Sequence, residues 1–385
     1  MPKIAFSGEP EIEIRKTVSI TVTHNCNLRC RYCYEPNINR NKDIIELDMA
    51  KKIILKHMEA NDGFQKVCFD FFGGEPLLGF NRIREIVEWF HSREWRKNHL
   101  FFIATNGTLL TDEMKSWLCD HKKCVAVGYS LDGTKVAHNL CRDNSYDLVR
   151  RNIPFFKENW PNQPAKMTIC AETIPYVADS IIELENMGMH FTANVVFEDI
   201  WGDQNQKNKL LDIYADELSR LVDYYTESPE LFPVSPILTR SSESIYATRS
   251  AEIDCFRFCG AGHEMIMYDV DGRSYPCHRF APWVTKRQAP IRLVNRQKVW
   301  KPKECEICKL INLCPTCVGY NWEVNGDPSM RTTFHCDALK LEVLASAKLE
   351  ALRLGKMDDD DYFKYYNKNP YRVMKRIEAI LELLN

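Results

Sequence analysis

Three cysteines stand on one short stretch, His24-Asn25-Cys26-Asn27-Leu28-Arg29-Cys30-Arg31-Tyr32-Cys33, spaced Cys-x3-Cys-x2-Cys. Thiolates this close together bind soft metals. A [4Fe–4S] cluster normally takes four protein thiolates. Three on one loop leave an iron open to substrate or cofactor, as a three-ligand zinc site keeps a reactive position. A structural zinc would need a fourth ligand, which His24 offers, and the triplet alone leaves that reading open. Eight more of the sixteen cysteines fall between Cys255 and Cys336. Clustering of this kind points to metal, iron–sulfur or zinc, and not to a disulfide framework.

These thiols need a frame. Over the first 225 residues, short apolar runs alternate with helical patterns. Residues 18–23, 66–72, 99–105, 124–131, 166–173 and 191–197 are rich in Val, Ile, Phe and Thr and predict strands. Residues 48–60 (with Asp48 as N-cap), 80–93, 111–118, 146–156, 177–187 and 210–225 predict helices. Six strands alternating with helices predict an α/β fold of parallel units, closed or open by a quarter, with the active site on the loops after the strand ends. The cysteine triplet directly follows the first strand.

The expected organisation is an N-terminal segment 1–17, the barrel over 18–230, a linker over 231–254 containing Pro233 and Pro236, a cysteine domain over 255–336 and terminal helices over 337–385. Apolar runs thin out beyond Cys255, so metal must help hold that region. Residues 336–354 and 372–384 predict amphipathic helices, with 358–361 as an acidic solvated loop between them. Cys68, Cys119, Cys124, Cys141 and Cys170 lie in or beside strand and helix patterns and read as core. So do Trp89, Phe90, Phe101 and Phe102.

The net charge of −2 gives no basis for nucleic-acid binding. No apolar run reaches the length of a membrane span, and the charged N-terminus lacks the apolar stretch of a signal peptide. A cytoplasmic protein with reduced thiols is expected.

The triplet, with Tyr32 before its last cysteine, is followed in order by Phe71-Phe72-Gly73-Gly74-Glu75-Pro76, Ala104-Thr105-Asn106-Gly107-Thr108 and Tyr129-Ser130-Leu131-Asp132-Gly133. Together these segments resemble the radical S-adenosylmethionine (SAM) superfamily. The resemblance implies a partial (β/α)6 TIM-like barrel in which Cys26, Cys30 and Cys33 hold a SAM-cleaving [4Fe–4S] cluster. Tyr32 would belong to the cofactor site. Gly73, Gly74 and Glu75 would meet the SAM amino group, the Glu75 carboxylate accepting from the ammonium. Alone, that segment is a turn between strand and helix. Asn106, Ser130 and Asp132 would reach the SAM ribose and carboxylate, although Asn106-Gly107 also reads as a simple turn. Arg142 would pair with the SAM carboxylate or lie on the surface. Glu172, at the end of the fifth strand, would serve SAM or substrate. The implied chemistry is reductive cleavage of SAM to methionine and a 5′-deoxyadenosyl radical, which abstracts hydrogen from a substrate.

The later cysteines resemble the SPASM extension of peptide- and protein-modifying members. Twelve residues separate Cys259 from Gly272, four separate Gly272 from Cys277, and Cys305-x2-Cys308-x5-Cys314-x2-Cys317 and Cys336 follow. The resemblance assigns Cys255, Cys259, Cys277 and Cys317 to one auxiliary [4Fe–4S] cluster. It assigns Cys305, Cys308, Cys314 and Cys336 to a second, for three clusters in all. Two residues separate Cys314 from Cys317 where the family has three. A pair of zinc sites is the competing reading.

SPASM enzymes act mainly on peptides and proteins. One branch cross-links ribosomally made peptides through thioether or C–C bonds, and another makes formylglycine in sulfatases. The second places a catalytic aspartate directly after the cysteine equivalent to Cys277. Here His278-Arg279-Phe280 follows, so a cross-linking peptide maturase is expected, with His278 as hydrogen-bond donor to the cluster region or as general base. A sulfatase-maturating enzyme and a non-catalytic zinc-stabilised binding protein are the alternatives. Only seventeen residues precede the first strand, so leader recognition would use the barrel surface, the C-terminal helices or a separate protein, or the substrate has no leader at all. Expected partners are a peptide or protein substrate and a reductase, flavodoxin or ferredoxin as electron donor.

Overall fold

The computed structural model of the chain describes residues 15–35, 43–233, 237–239, 259–287, 302–308, 310–311, 314–366 and 369–384. Cys255 and most of the expected linker lie outside them. Strands β1 (Arg15–Thr23), β2 (Lys66–Gly73), β3 (Asn98–Thr105) and β4 (Val125–Tyr129) form a parallel sheet in the order β4-β3-β2-β1. Strands β5 (Ala165–Ile169) and β6 (Phe191–Val195) form a second parallel ladder. A Ser130–Lys166 bridge and the Leu131 N–H bond to the Lys166 carbonyl, 3.0 Å, continue β4 into β5. The six expected strands thus form an open, curved wall.

Alternation sorts the side chains. Phe69 and Phe71 of β2 are fully buried against the helices outside, so Asp70 and Phe72 face the other side, the barrel lumen. Phe102 of β3 also faces inward, where a side chain on Gly128 would strike its ring at 2.4 Å.

The helices are α1 (Leu47–Met58), α2 (Phe80–His91), α3 (Asp112–His121), α4 (Lys135–Cys141), α5 (Tyr146–Arg150), α6 (Ile153–Asn159), α7 (Val177–Asn186) and α8 (Gln204–Glu227). Thr111, Thr134 and Asp203 cap α3, α4 and α8 by accepting backbone N–H bonds. Asp48 does not cap α1; it lies in the first turn, behind Glu46. The helix expected over 146–156 is two helices, because Pro154 in the first turn of α6 cannot donate into α5. The fifth strand is shorter than expected. It stops at Ile169 and a 3-10 turn, Ala171–Tyr176, follows, with the Thr173 hydroxyl accepting from Cys170 N–H at 2.9 Å.

No sequence pattern signals β7 (Met265–Tyr268), which adds in parallel to the free edge of β1, or β8 (Ser274–Tyr275), which folds back on it. Four apolar residues are too few to stand out as a strand; the open edge of β1 supplies their partner. The cysteine domain therefore starts as part of the barrel sheet.

The Cys336–Lys356 helix packs on α8. Tyr214 donates to Glu342 at 3.0 Å, and Arg353 donates to the carbonyls of Tyr225 and Leu231 at 2.9 and 2.8 Å. The acidic stretch is not a loop. Asp358 accepts from the Asp361 N–H at 2.8 Å and opens the Asp359–Tyr366 helix, where carboxylates at the N-terminus are favourable. A last helix, Pro370–Leu384, follows. Among the described residues no helix is long and apolar enough to cross a membrane.

His138 on α4 ties the frame to pH. Its Nδ1 accepts from the Asp132 N–H at 3.3 Å and its Nε2 bonds the Ser145 hydroxyl at 3.0 Å. Burial, and then the Arg142 charge, push its pKa down to about 3. Below the unfolded value of about 6.5 the unfolded chain takes up a proton that the fold refuses. Stability is therefore lost as pH falls from there towards about 3. At pH 5 the loss from this group is about 2 kcal/mol. Urea midpoints at pH 7 and pH 5 should show a smaller drop in His138→Gln than in the parent; equal drops would exclude this role.

Candidate active site

The triplet lies on the loop after β1, at the carboxyl end of the barrel. Protein contacts position this loop throughout. The Asn27 amide donates to the Thr108 hydroxyl at 2.9 Å and its oxygen accepts from Asn106 at 2.8 Å. Arg31 N–H donates to the Cys141 carbonyl at 2.9 Å, and Arg29 N–H to Asp143 at 3.2 Å. Tyr32 donates to Asp132 at 2.6 Å. Cys26, Cys30 and Cys33 are half-buried beside one another. Burial pushes the Cys33 thiol up to about 11, and Cys30 and Cys26 act in the same direction. His24 does not join them: its Nε2 bonds Asp269 at 2.7 Å and its ring meets Trp283 edge-on, tying the loop to the β7 end. Among the described residues no set of three ligand atoms within 4.8 Å of one another includes His24.

The thiol spacing bears on which metal fits. Among the described residues, Cys141, Cys170 and Glu172 are the one set of ligand atoms within 4.8 Å of one another. A single zinc with Zn–S of about 2.3 Å needs sulfurs roughly 3.8 Å apart. The three loop thiols do not form such a set.

Gly73 and Gly74 bring β2 against the β1 end. A Cβ on Gly73 would stand 2.1 Å from the Thr23 carbonyl oxygen, and one on Gly74 2.4 Å from that of Asn25. The Gly74 and Glu75 N–H groups donate to those carbonyls at 3.0 and 2.8 Å. The Glu75 carboxylate is fully buried and holds three donors. It accepts from Leu77 N–H at 3.0 Å, the Thr105 hydroxyl at 2.7 Å and Asn106 N–H at 2.7 Å. Glu75 thereby pins the ends of β2 and β3, and among the described residues its Oε2 accepts a single bond, from Asn106 N–H.

Asn106 likewise holds neighbours, accepting from Thr108 N–H at 3.0 Å while donating to Asn27. Asp132 is fully buried, bonded to Tyr32 and to Thr168 N–H at 2.9 Å. Ser130 is half-buried at the end of β4. Arg142 is 5% exposed, which excludes the surface reading. It donates to the Tyr32 hydroxyl and lies 3.9 Å from Asp132. Its buried Nε meets no acceptor among the described residues, an arrangement that a carboxylate ligand would complete. Glu172 is not at a strand end or in the lumen. It is exposed on the 3-10 turn, 3.9 Å from Arg31.

The later cysteines gather into two sets. Cys277 feels Cys317 and Cys259, and burial pushes it up to about 12. Cys314 feels Cys336, Cys305 and Cys308, and burial likewise pushes it up to about 12. The SPASM resemblance groups the same residues, with Cys255 lying outside the described ones. Buried donors without acceptors surround both sets: His278 Nδ1, Arg279 Nη1 and Trp322 Nε1 near the first, Arg331 Nε and Nη2 near the second. Cluster sulfurs would accept from such groups.

His278 stacks on Phe72 with ring centres 3.7 Å apart, at the barrel mouth. Sequence reasoning missed Arg279. Its guanidinium lies over the Tyr34 ring at 4.5 Å and pairs with Glu198, joining the triplet loop, the β6 end and the first later set. It also missed Asp70 and Lys166, inward-facing residues of β2 and β5. Burial pushes Asp70 up to about 6; Ser19 donates to it at 3.2 Å, and its Oδ1 meets no donor among the described residues. Lys166 is open to solvent in the lumen, yet the protein crowding around it, then the Arg142 and Arg279 charges, push its pKa down. A lone charge inside an apolar strand pattern was the available signal for both.

An open parallel α/β barrel with a three-thiol loop after its first strand defines a class, the barrel enzymes that depend on a metal cluster. The sequence pattern of the radical SAM superfamily matches residues 20–175. The tungsten-containing aldehyde ferredoxin oxidoreductase cofactor-modifying protein of Pyrococcus furiosus is 32% identical over 280 residues, 69% of this chain and 71% of that protein. The chain belongs to the radical SAM superfamily, whose members are enzymes that use SAM and a [4Fe–4S] cluster. A cysteine-type anaerobic sulfatase-maturating enzyme of Clostridium novyi is 35% identical over 139 residues, 34% of this chain and 37% of that protein. The chain thus spans less than half the length of the first curated relatives it matches. A solved structure of anSMEcpe with bound AdoMet and Kp18Cys peptide shares the fold: TM-score 0.64, 18% identity, covering 88% of this chain and 99% of that one.

Proposed function

We propose that this enzyme is a peptide maturase that cross-links a ribosomally made peptide through a thioether or C–C bond. The observation that carries the reading is the gathering of two later cysteine sets behind His278 at the barrel mouth, next to a lumen that presents Asp70 and Lys166. Cys26, Cys30 and Cys33 would hold the SAM cluster. Cys259, Cys277 and Cys317, with Cys255, would hold one auxiliary cluster, and Cys305, Cys308, Cys314 and Cys336 the other. When bound, these groups supply one-electron chemistry and a hydrogen-abstracting radical.

The chain's own residues hold and orient. Arg142 offers its Nε edge to the SAM carboxylate, while Tyr32 and Asp132 fix that guanidinium. Asp70 and Lys166 offer an acceptor and a cation to the peptide's amide and side-chain groups. Phe72 holds the His278 ring in place. The absence of an aspartate after Cys277 favours cross-linking over formylglycine formation. A flavodoxin, ferredoxin or reductase would deliver the electron.

The test is anaerobic turnover with SAM, a chemical reductant and short peptides encoded beside the gene. A cysteine-containing peptide that loses two hydrogens without gaining oxygen supports the reading. Formylglycine on a sulfatase-derived peptide would replace it with the sulfatase-maturating reading. Colourless protein containing zinc would remove both.

A further inference from the structure

Cys141 and Cys170 are buried, at 0% and 3% exposure, as packing residues should be. Their sulfurs nevertheless lie 2.9 Å apart in a thiol–thiol hydrogen bond. Non-bonded heavy atoms ordinarily pack at about 3.5–4.0 Å. Two thiolates on one zinc would stand roughly 3.8 Å apart. The pair is therefore closer than packing or shared metal ligation calls for. It joins the last residue of α4 to the residue after β5. None of the cluster or SAM contacts uses either sulfur.

We propose that Cys141 and Cys170 form a peroxide-reactive dithiol that closes to a reversible disulfide before the cluster thiols are lost. The pair lies one layer below the surface: the exposed Glu172 carboxylate is within 4.8 Å of both sulfurs. A small oxidant has a short path. The hydrogen bond from Cys141 holds the Cys170 thiol down and Cys141 up, so Cys170 is the attacking sulfur. The Cys170 thiolate attacks one peroxide oxygen; the O–O bond breaks and hydroxide leaves, taking up the Cys170 proton as water. Cys170 is then a sulfenic acid. The Cys141 sulfur attacks it, the S–S bond forms, the S–O bond breaks, and a second water leaves with the Cys141 proton. Two thiols have lost two electrons and two protons, and one peroxide has become two waters. A thiol reductant reverses the bond.

The place gives the reaction consequence. The Cys141 carbonyl accepts from Arg31 in the triplet loop, and Arg142 is the next residue. The dithiol thus intercepts oxidant beside the cluster that oxidant would otherwise reach.

The experiment adds hydrogen peroxide in rising amounts to the reconstituted enzyme, follows iron content, then alkylates, unfolds and digests with trypsin. Residues 136–142 and 167–207 form tryptic peptides with one cysteine each. A linkage between these two peptides, complete at doses that leave iron unchanged and reversed by thiol, is the expected result. Cys141→Ser, which keeps a hydrogen-bonding group, should lose iron at lower peroxide than the parent. Both cysteines alkylated as free thiols at doses that strip iron would overturn the proposal. So would one zinc per chain that Cys141→Ser removes. The parent peptide map decides by itself if the variant fails to fold.

Discussion

Replacing Cys26, Cys30 and Cys33 together by Ala is expected to lower iron from about twelve to about eight per chain and to abolish 5′-deoxyadenosine formation. The loop should survive the change. Its shape rests on Tyr32 with Asp132, Asn27 with Asn106 and Arg31 with the Cys141 carbonyl, none of which involves a thiol. The later cysteine sets lie on other elements and have their own buried surroundings. Cluster loss should therefore be confined to the first site. Iron and sulfide assays with product chromatography read the result. Deoxyadenosine formed by the triple variant at the parent rate would falsify the assignment of the triplet.

The barrel was legible because its signals are local. The strands β1 to β4 each carry a run of β-branched and aromatic residues long enough to announce itself, and Cys26 follows β1 directly. The grouping of the later cysteines was legible only through the family resemblance, since spacing alone does not pair thiols that meet from separate loops. The β7–β8 hairpin was not legible, because Met265–Tyr268 becomes a strand only by finding the edge of β1. The 3-10 turn after β5 was hidden for a related reason. Ile169-Cys170-Ala171 continues an apolar run, and the stop comes from Thr173 reaching back to Cys170.

Polar side chains divided along the same line. A motif names residues near a cofactor without saying which of them face it. Glu75, Asn106 and Asp132 share the strand-end positions of the motif, and each spends its hydrogen bonds on the frame. Arg142 carried the weakest sequence signal of the group, yet it is the one with an unused buried donor. Asp70 and Lys166 face the lumen with their charges unneutralised by a close partner of opposite sign in their own strands. Which residues remain open to a ligand follows from counting donors against acceptors, and that count needs the tertiary neighbours.

Glu75 gives the second large effect. Its carboxylate answers three donors in a site with no exposure, so Glu75→Ala strands the Leu77 and Asn106 N–H groups. The Thr105 hydroxyl loses its acceptor too but can rotate, unlike a backbone N–H, while it goes on accepting from Gly107 N–H at 3.1 Å. Each buried donor left without an acceptor costs about 1–3 kcal/mol, so the expected loss is about 2–6 kcal/mol. Glu75→Gln keeps the shape and one acceptor oxygen but turns an NH2 group against a donor. Its expected loss is about 1–3 kcal/mol. Urea unfolding under anaerobic conditions separates this role from ligand binding. A framing carboxylate gives the graded order parent, Gln, Ala in the unfolding midpoint. A carboxylate that served only the SAM ammonium would leave all three midpoints together and lower SAM affinity alone, and that pattern would overturn the framing role.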